Sequence, residues 1–493
     1  MGLHLRNTLS GEVEAFEPRE RPVSMYFCGL TVSDRAHLGH ARSWVHVDVL
    51  RRWLEHRGHE VHHVENFTDI NEKIVARVGE RAAWTDELAV ATHYIERTLA
   101  DMRRVNCRRA HAYPRVSEHI DAIIELIERL IAAGYAYEVD GSVYFDVPAF
   151  EGYGQLIDPT LEAEEISTHP DKRHPADFAL WKAGTVDRKD IEDYVKRSDL
   201  DLEAACAGAK TWSSPWGDGR PGWHIECSAM SMNHLGETFD IHVAGRDIAF
   251  PHNENEIAQS EAATGQPFAR YWIHIEMLET ETEKMSSSLG NYFTVEDAVA
   301  SWGQDTIRTF LLSASHDTRQ AFSESALEEA AARADRLDRA HALATETVDS
   351  PEASSTTIDT TLRDTVEQAR QDAYTALDDN LDTRGALVAL ESVVSAINSH
   401  VEAGDAPYDY GGLLSSIEVL ETIGRAILGI NLGASDQVSE LTDILDDILR
   451  IREALRAAGE YEWADELRNV LHDHNIEIED TDDGPRARLS STD

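Results

Sequence analysis

Between residues 23 and 67 the chain alternates strand, helix and strand. Val23–Phe27 is a short apolar run, Ala41–Glu55 spaces its apolar residues as one helix face, and Val61–Phe67 is a second apolar run. That order implies a parallel α/β unit at the start of the chain. Helical patterns continue over Glu87–Arg104 and Val116–Ala133. A hairpin is expected over Tyr135–Phe145 around Asp140-Gly141. From about Ala149 the chain becomes irregular and rich in Pro, Gly and charge, and apolar runs resume at Phe239–Val243 and Trp272–Leu278. One α/β domain interrupted by an insertion accounts for this order.

Past Thr294 the periodicity is helical, over Glu324–Glu346, Thr361–Leu377, Gly385–Val401 and Leu413–Leu428, as in an all-α bundle. A last amphipathic pair, Gln437–Ala458 and Tyr461–Asp473, leads into an acidic tail, Glu477–Asp493, whose end is expected to be disordered. The expected division is 1–110 and 223–320 for the two halves of the α/β domain, 111–222 for the insertion, 321–430 for the helical bundle and 431–493 for a small C-terminal region. A chain of 493 residues is long enough for roughly two to four domains.

No stretch approaches the ~20 apolar residues of a membrane span, so a soluble protein with no membrane partner is expected. The first residues show neither a basic start with an apolar run nor a myristoylation pattern, since Arg6 stands where Ser or Thr would be needed. A cytoplasmic location follows as the expectation. Four scattered cysteines, Cys28, Cys107, Cys206 and Cys227, do not make a secreted disulfide framework and read as free thiols or metal ligands. The net charge of −46 would ordinarily argue against a nucleic-acid partner. Only seven of the 45 basic residues are lysines, however, and an acidic, lysine-poor surface suits very high salt, where the Debye length falls to about 3 Å at 1 M. The charge is therefore read as habitat and not as partner.

Three motifs carry chemistry. CGLTVSDRAHLGH, Cys28 to His40, lies between the first strand and the first helix, where a nucleotide fold binds phosphate. His37 and His40 can donate to phosphate oxygens there, and Gly39 lets an adenine ring approach the backbone. The second motif, KMSSSLGN, is a loop after a strand in which Lys284 with Met285, Ser286, Ser287 and Ser288 could clamp a pyrophosphate. Lys284 is the only lysine after Lys210 in a chain that nearly always chooses arginine, so a compact ammonium is specifically required. The third is dispersed: Cys28, Cys227, His252 and Glu256 offer two thiolates, an imidazole and a carboxylate, the last two four residues apart on one helix face. Ligands spread over two hundred residues are compatible with a zinc site and equally with packed cysteines.

These segments resemble the cysteinyl-tRNA synthetases, a family of class I aminoacyl-tRNA synthetases. HLGH resembles the class I histidine signature and Lys284 to Ser288 the lysine-serine signature. CGLTVSD, NFTDINEKI from Asn66, SPWGDGRPGWHIECSAM from Ser214 and FPHNENEIAQSEA from Phe250 are similar to that family's own motifs. DDNLDTRGAL from Asp378 and ADELRNVLHDHNIEIEDTDDG from Ala464 extend the likeness nearly to the end. The resemblance implies a Rossmann-like domain split by an insertion, a helical domain and a C-terminal region that reads the anticodon. It implies Zn²⁺ on Cys28, Cys227, His252 and Glu256, ATP with Mg²⁺ held by Gly39 and the Lys284 loop, and an amino-acid pocket of Gly29, Thr31, Thr68, Trp223 and Asp247. The implied partners are ATP, L-cysteine and cysteine-specific tRNA, acted on by a monomer.

The implied reaction joins cysteine to ATP's α-phosphate and then to a ribose hydroxyl of the tRNA. His37, His40 and Lys284 are the expected catalytic residues. The sequence departs from the family pattern at Ser287, where a second lysine is usual, at Asn253 for a histidine and at Ser33 for a tyrosine. The connection from Trp181 to Trp212 is longer than the family's and is read as a surface insertion without chemistry. Cysteine ligases of mycothiol-type biosynthesis resemble the catalytic half alone, so the motifs past Asp378 favour tRNA. A non-catalytic tRNA-binding paralogue would not need His37, His40 and Lys284.

Overall fold

The computed structural model describes residues 2–19, 21–156, 170–195, 200–280, 293–351, 353–354, 360–403, 407–433, 445, 448–456, 461–473, 476–481 and 484–489. The chain divides into two compact units, Met1–Ile430 and Asn431–Asp493. The first begins with an antiparallel pair, β1 (His4–Asn7) and β2 (Glu12–Ala15). The strand, helix and strand expected next are β3 (Val23–Thr31), α1 (Leu38–His56) and β4 (Val61–Thr68). Short α2 (Glu72–Val75) and long α3 (Glu87–Arg104) follow, then α4 (Ile120–Ala133) and the hairpin β5 (Ala136–Val139) and β6 (Ser142–Phe145).

The stretch after Ala149, expected to be irregular, contributes real structure. It holds β7 (Phe178–Ala183), the short helices α5 (Arg188–Ile191) and α6 (Leu202–Ala207), and β8 (Gly219–Pro221). β5, β6, β7 and β8 form one antiparallel sheet in that order. Its inner face, with Val143, Phe145, Leu180 and Trp181, shares a core with Ile123, Ile127 and Leu130 of α4 and with Ile225 and Met230. Strand FALWKA escaped notice because the charged residues around it mask a six-residue run.

The catalytic-type sheet resumes after α7 (Trp223–Leu235) with β9 (Phe239–Gly245), α8 (Glu254–Thr264) and β10 (Ala269–Ile275). All four of its strands run parallel in the order β10-β9-β3-β4, with Met25 and Phe27 of β3 beside Ile241 and Val243 of β9, and Tyr26 beside Val64 of β4. The chain leaves β3 in one direction and returns beside it in the other, so a crevice opens beyond the carboxyl ends of the strands, where such folds bind ligands. The run expected from Trp272 to Leu278 is broken: β10 stops at Ile275 and β11 (Leu278–Thr280) pairs instead with β12 (Gln320–Phe322), after α9 (Val295–Trp302) and α10 (Gln304–Leu312).

Four helices complete the first unit: α11 (Glu324–Val348), α12 (Thr361–Asp378), α13 (Thr383–Glu402) and α14 (Tyr410–Val419), the last widening into π turns over Leu420–Ile427. Leu362, Val366, Ala369 and Ala373 bury one stripe of α12, at the three- and four-residue spacing that helix packing uses. Among the described residues no helix is long and apolar enough to cross a membrane. In the second unit Tyr461–Asp473 is helical as expected, and 445 and 448–456 are the described part of the helix expected over 437–458. Much of the expected acidic tail is an antiparallel hairpin, Ile476–Thr481 with Gly484–Leu489, whose register sets Glu477 opposite Arg488 and Glu479 opposite Arg486. Residues 490–493 lie outside the described set.

One carboxyl lies beneath the sheet. Glu65 of β4 is buried and bonded to Trp44 of α1, and its Oε1 has no partner; burial pushes its pKa up to about 8. A folded-state pKa above the unfolded value means that the native state binds the extra proton between about pH 4.5 and 8. Stability is therefore lost as pH rises through that window. Glu65→Gln removes the titration and keeps an acceptor for Trp44. The variant should melt higher than the parent at pH 9, with the gap closing toward pH 5, in a thermal-denaturation series; a gap independent of pH would contradict it.

Candidate active site and metal centre

At the end of β3 the pairing with β4 slips between Phe27 and Leu30, which turns Cys28 and Gly29 out of the regular ladder. The Asn66 side-chain oxygen accepts the Gly29 N–H at 2.8 Å and the Tyr26 hydroxyl at 2.9 Å. A β-carbon at residue 29 would fall 1.8 Å from the Asn66 backbone oxygen, so only glycine permits this approach. The result is a buried Cys28 whose Sγ lies 3.6 Å from Cys227 Sγ on α7 and 3.7 Å from His252 Nε2.

His252 enters from the turns leading into α8, and its Nε2 lies 3.2 Å from Glu256 Oε1 one helical turn on. Ligand atoms of Cys28, Cys227, His252 and Glu256 all lie within 4.8 Å of one another, and all four residues are buried. Tetrahedral Zn²⁺ with ordinary bond lengths needs roughly 3.8 Å between two sulfurs and roughly 3.5 Å between sulfur and nitrogen. The donors stand at those spacings, so these residues fit the ion.

The groups behind the donors hold them in place. His224 Nδ1 sits 3.0 Å from His252 Nδ1, which turns His252 Nε2 toward the cluster. Glu256 Oε2 is 2.9 Å from His242 Nε2, and Glu256 Oε1 accepts the Asn253 amide at 2.7 Å. The Asn253 oxygen in turn is 3.0 Å from His274 Nε2. Asparagine at 253 thus bridges a ring and a carboxylate, a task that needs one donor and one acceptor.

Without a cation the two thiols and the His252 ring are held in their neutral forms. The hydrogen bond with Cys28, and then burial, raise the Cys227 thiol well above its ordinary pKa. The contact with Cys227 lowers that of Cys28, but burial and the carboxylates of Glu256, Glu226 and Asp247 outweigh it and leave it raised. Burial holds His252 well below the usual imidazole range. A divalent cation reverses this balance, since it favours thiolates and a neutral imidazole.

A cavity of about 790 Å³ opens beside the cluster at the carboxyl ends of the strands, and Cys28, Gly29, Thr31, Thr68, Trp223 and Asp247 are all on its wall. Trp223 is 39% exposed and its ring lies 4.3 Å from that of His252 at a tilt of 51°, so it forms part of the lining rather than of the core. Gly39, His37 and His40 reach the same space at the start of α1. His37 Nδ1 accepts the Gly39 N–H at 3.1 Å, His40 Nδ1 accepts the His37 N–H at 3.2 Å, and the rings stack at 3.7 Å. A neutral ring that accepts through Nδ1 carries its proton on Nε2, so the capping box leaves two N–H donors at a helix N-terminus, where anions bind.

The family model for the catalytic domain of the class I (C) tRNA synthetases matches residues 15–332. A cysteine–tRNA ligase of Haloarcula marismortui is 54% identical over 99% of this chain and 100% of its own length. The cysteine–tRNA ligase of Halobacterium salinarum is 50% identical over 99% of this chain and all of its own. The chain belongs to the cysteine–tRNA ligase family. Its fold is also that of Mycobacterium tuberculosis methionyl-tRNA synthetase in complex with methionyl-adenylate, with a TM-score of 0.60 and 16% identity over 83% of this chain and 92% of that one.

Within this cysteine–tRNA ligase family member, every expected donor and pocket residue that is described comes to one crevice. Lys284, Met285, Ser286, Ser287 and Ser288 lie outside the described residues. Sequence reasoning passed over Asn66, though it opens a quoted motif, because an amide gives no sign of how it will be used. Glu226 was also passed over. It is buried 3.5 Å from the Thr68 hydroxyl, and burial first, then Asp69 and Glu72, push its pKa well above the carboxylate range. The connection from Trp181 to Trp212, read as a surface insertion, is largely exposed, and its residues Asp193, Tyr194 and Val195 also line the cavity.

Purified protein should hold one Zn²⁺ per chain by elemental analysis. Cys227→Ser should lower that occupancy at least tenfold while ATP affinity stays near the parent's. Zinc-free protein with full cysteine-dependent activity would contradict the assignment.

Proposed function

We propose that the chain is a cysteine–tRNA ligase that joins L-cysteine to ATP, releasing pyrophosphate, and then passes the cysteinyl group to the 3′ end of its cognate tRNA. The observation that carries this reading is a four-donor, zinc-compatible cluster that meets, through Cys28, the wall of the cavity that also receives a histidine-capped helix start. In the first step the cysteine carboxylate oxygen attacks the α-phosphorus and the bond to pyrophosphate breaks. In the second, a terminal ribose hydroxyl attacks the cysteinyl carbonyl, and AMP leaves with its phosphate oxygen restored. Both steps depend on positioning and on stabilising charge as it moves.

The N–H groups of His37 and His40 bind phosphate oxygens of ATP, which arrives with Mg²⁺. Lys284 contributes a compact ammonium to the departing pyrophosphate, a role inferred from the sequence. Thr68 and Asp247 orient the amino acid, and Trp223 closes its pocket against water. Cys28, Cys227, His252 and Glu256 would hold Zn²⁺, whose preference for a thiolate over an alcohol supplies the discrimination against serine. Such a specific interaction supports rejection of ~10⁴-fold without an editing site. Free cysteines and a tRNA substrate support a cytoplasmic location.

Pyrophosphate exchange into ATP that depends on cysteine, together with charging of tRNA, tests the reading. Failure of both in zinc-loaded protein would overturn it. Lys284→Ala should slow adenylate formation in a single turnover by about 10²- to 10³-fold and leave cysteine affinity nearly unchanged, the mark of an interaction made mainly in the transition state. Lys284→Arg should recover only part of the rate, because a planar fork does not replace an ammonium. A parental rate in Lys284→Ala would remove the loop from the mechanism.

A further inference from the structure

The long connection between β7 and β8 is anchored to the catalytic domain. Val186, Ile191 and Ala205 are buried in a core shared with Ile74, Val78 and Trp84. The Gly208 carbonyl accepts the Glu87 N–H at 3.1 Å, and the Glu87 carboxylate receives the Lys210 N–H and pairs with buried Arg220, each at 2.5 Å. Lys182 bonds Glu72 and Lys210 bonds Asp86 at 2.8 and 2.7 Å. The segment is thereby fixed against α2 and the start of α3.

Its turn Glu192–Tyr194 follows directly on buried Ile191, so the clamp determines where Tyr194 goes. Asp193 and Tyr194 reach the cavity wall next to Lys73 and Arg77. The Tyr194 ring is 43% exposed there, and the Lys73 ammonium lies 5.7 Å from its centroid. A half-exposed aromatic ring with a cation over one face, at the rim of a cavity that a single-stranded RNA end must enter, has the chemistry of a base-stacking platform for its other face.

Resting on the function proposed above, we infer that Tyr194, with Lys73 beside it, stacks a base of the unpaired 3′ end of the tRNA and steers the terminal ribose to the adenylate. Asp193 beside the ring repels phosphate, so the attraction here comes from the face of the base. That suits a chain of net charge −46. Phosphate contacts weaken steeply as salt rises, whereas stacking engages no counterions. ATP also carries a base, but its phosphates belong to the helix start at His37 and His40, on the opposite connection of the sheet.

The test compares charging with pyrophosphate exchange at molar salt in the full chain. Tyr194→Ala should raise the KM for tRNA in charging roughly 10- to 100-fold. Tyr194→Phe, which keeps the face and loses the hydroxyl, should charge like the parent. Exchange kinetics for ATP and cysteine should be unchanged in both variants, which also reports that the site is folded. Unchanged charging by Tyr194→Ala would overturn the inference, and so would equal losses in charging and exchange. A parent protein that exchanges pyrophosphate but charges no tRNA would instead overturn the proposed function.

Discussion

The join between the carboxyl ends of β3 and β4 determines the arrangement of the site. Asn66 accepts two hydrogen bonds from the neighbouring strand through one oxygen, from Tyr26 and Gly29, while its backbone carbonyl occupies the space a side chain at 29 would need. The strands can approach this closely only because residue 29 has no β-carbon. Their approach carries Cys28 out of the ladder and toward Cys227 at the start of α7. The same bend sends the chain onward to His37 and the start of α1. The four-donor cluster and the histidine-capped helix start are therefore two products of one backbone junction.

The carboxylate side of the cluster is fixed by a second chain of contacts. His274, Asn253, Glu256 and His242 are linked in order by bonds of 2.7 to 3.0 Å, all of them buried. A buried charge is tolerable only when it is paired and its remaining oxygens are bonded. Glu256 meets that condition through its neighbours on both sides. Farther out, Arg308 on α10 is wholly buried and bonds Asp48 of α1, the Val105 carbonyl and the Leu428 carbonyl, with Arg52 sharing Asp48 at 2.7 Å. This pins α1, the element that carries His37 and His40, to the helices that follow the sheet.

The parts most visible in the sequence were those with strong periodicity or unusual chemistry. α3 was bounded to the residue, and α1, β3 and β4 within a few residues, because buried strands and amphipathic helices write their own pattern. Cys28, Cys227, His252 and Glu256 were legible as donors, yet their meeting was not, since no local pattern joins residues from β3, α7 and the approach to α8. β7 was masked by the charged residues around it, and the segment after it was hidden because its order comes from tertiary partners such as Glu87, far earlier in the chain. Tyr194 looked like any exposed tyrosine until the buried Ile191 beside it fixed where it points. The hairpin inside the acidic tail went unseen because charge dominates that stretch and the pairing of its two strands is not written in either one alone.

The central claim is that strand crowding at Gly29 builds the metal centre. It is tested most directly by the zinc affinity of Gly29→Ala, measured by competition against a chromophoric chelator in protein whose circular dichroism matches the parent's. A methyl group that would stand 1.8 Å from the Asn66 oxygen must push the strand ends apart, so the account predicts zinc binding at least tenfold weaker. Parental affinity in the folded variant would contradict it.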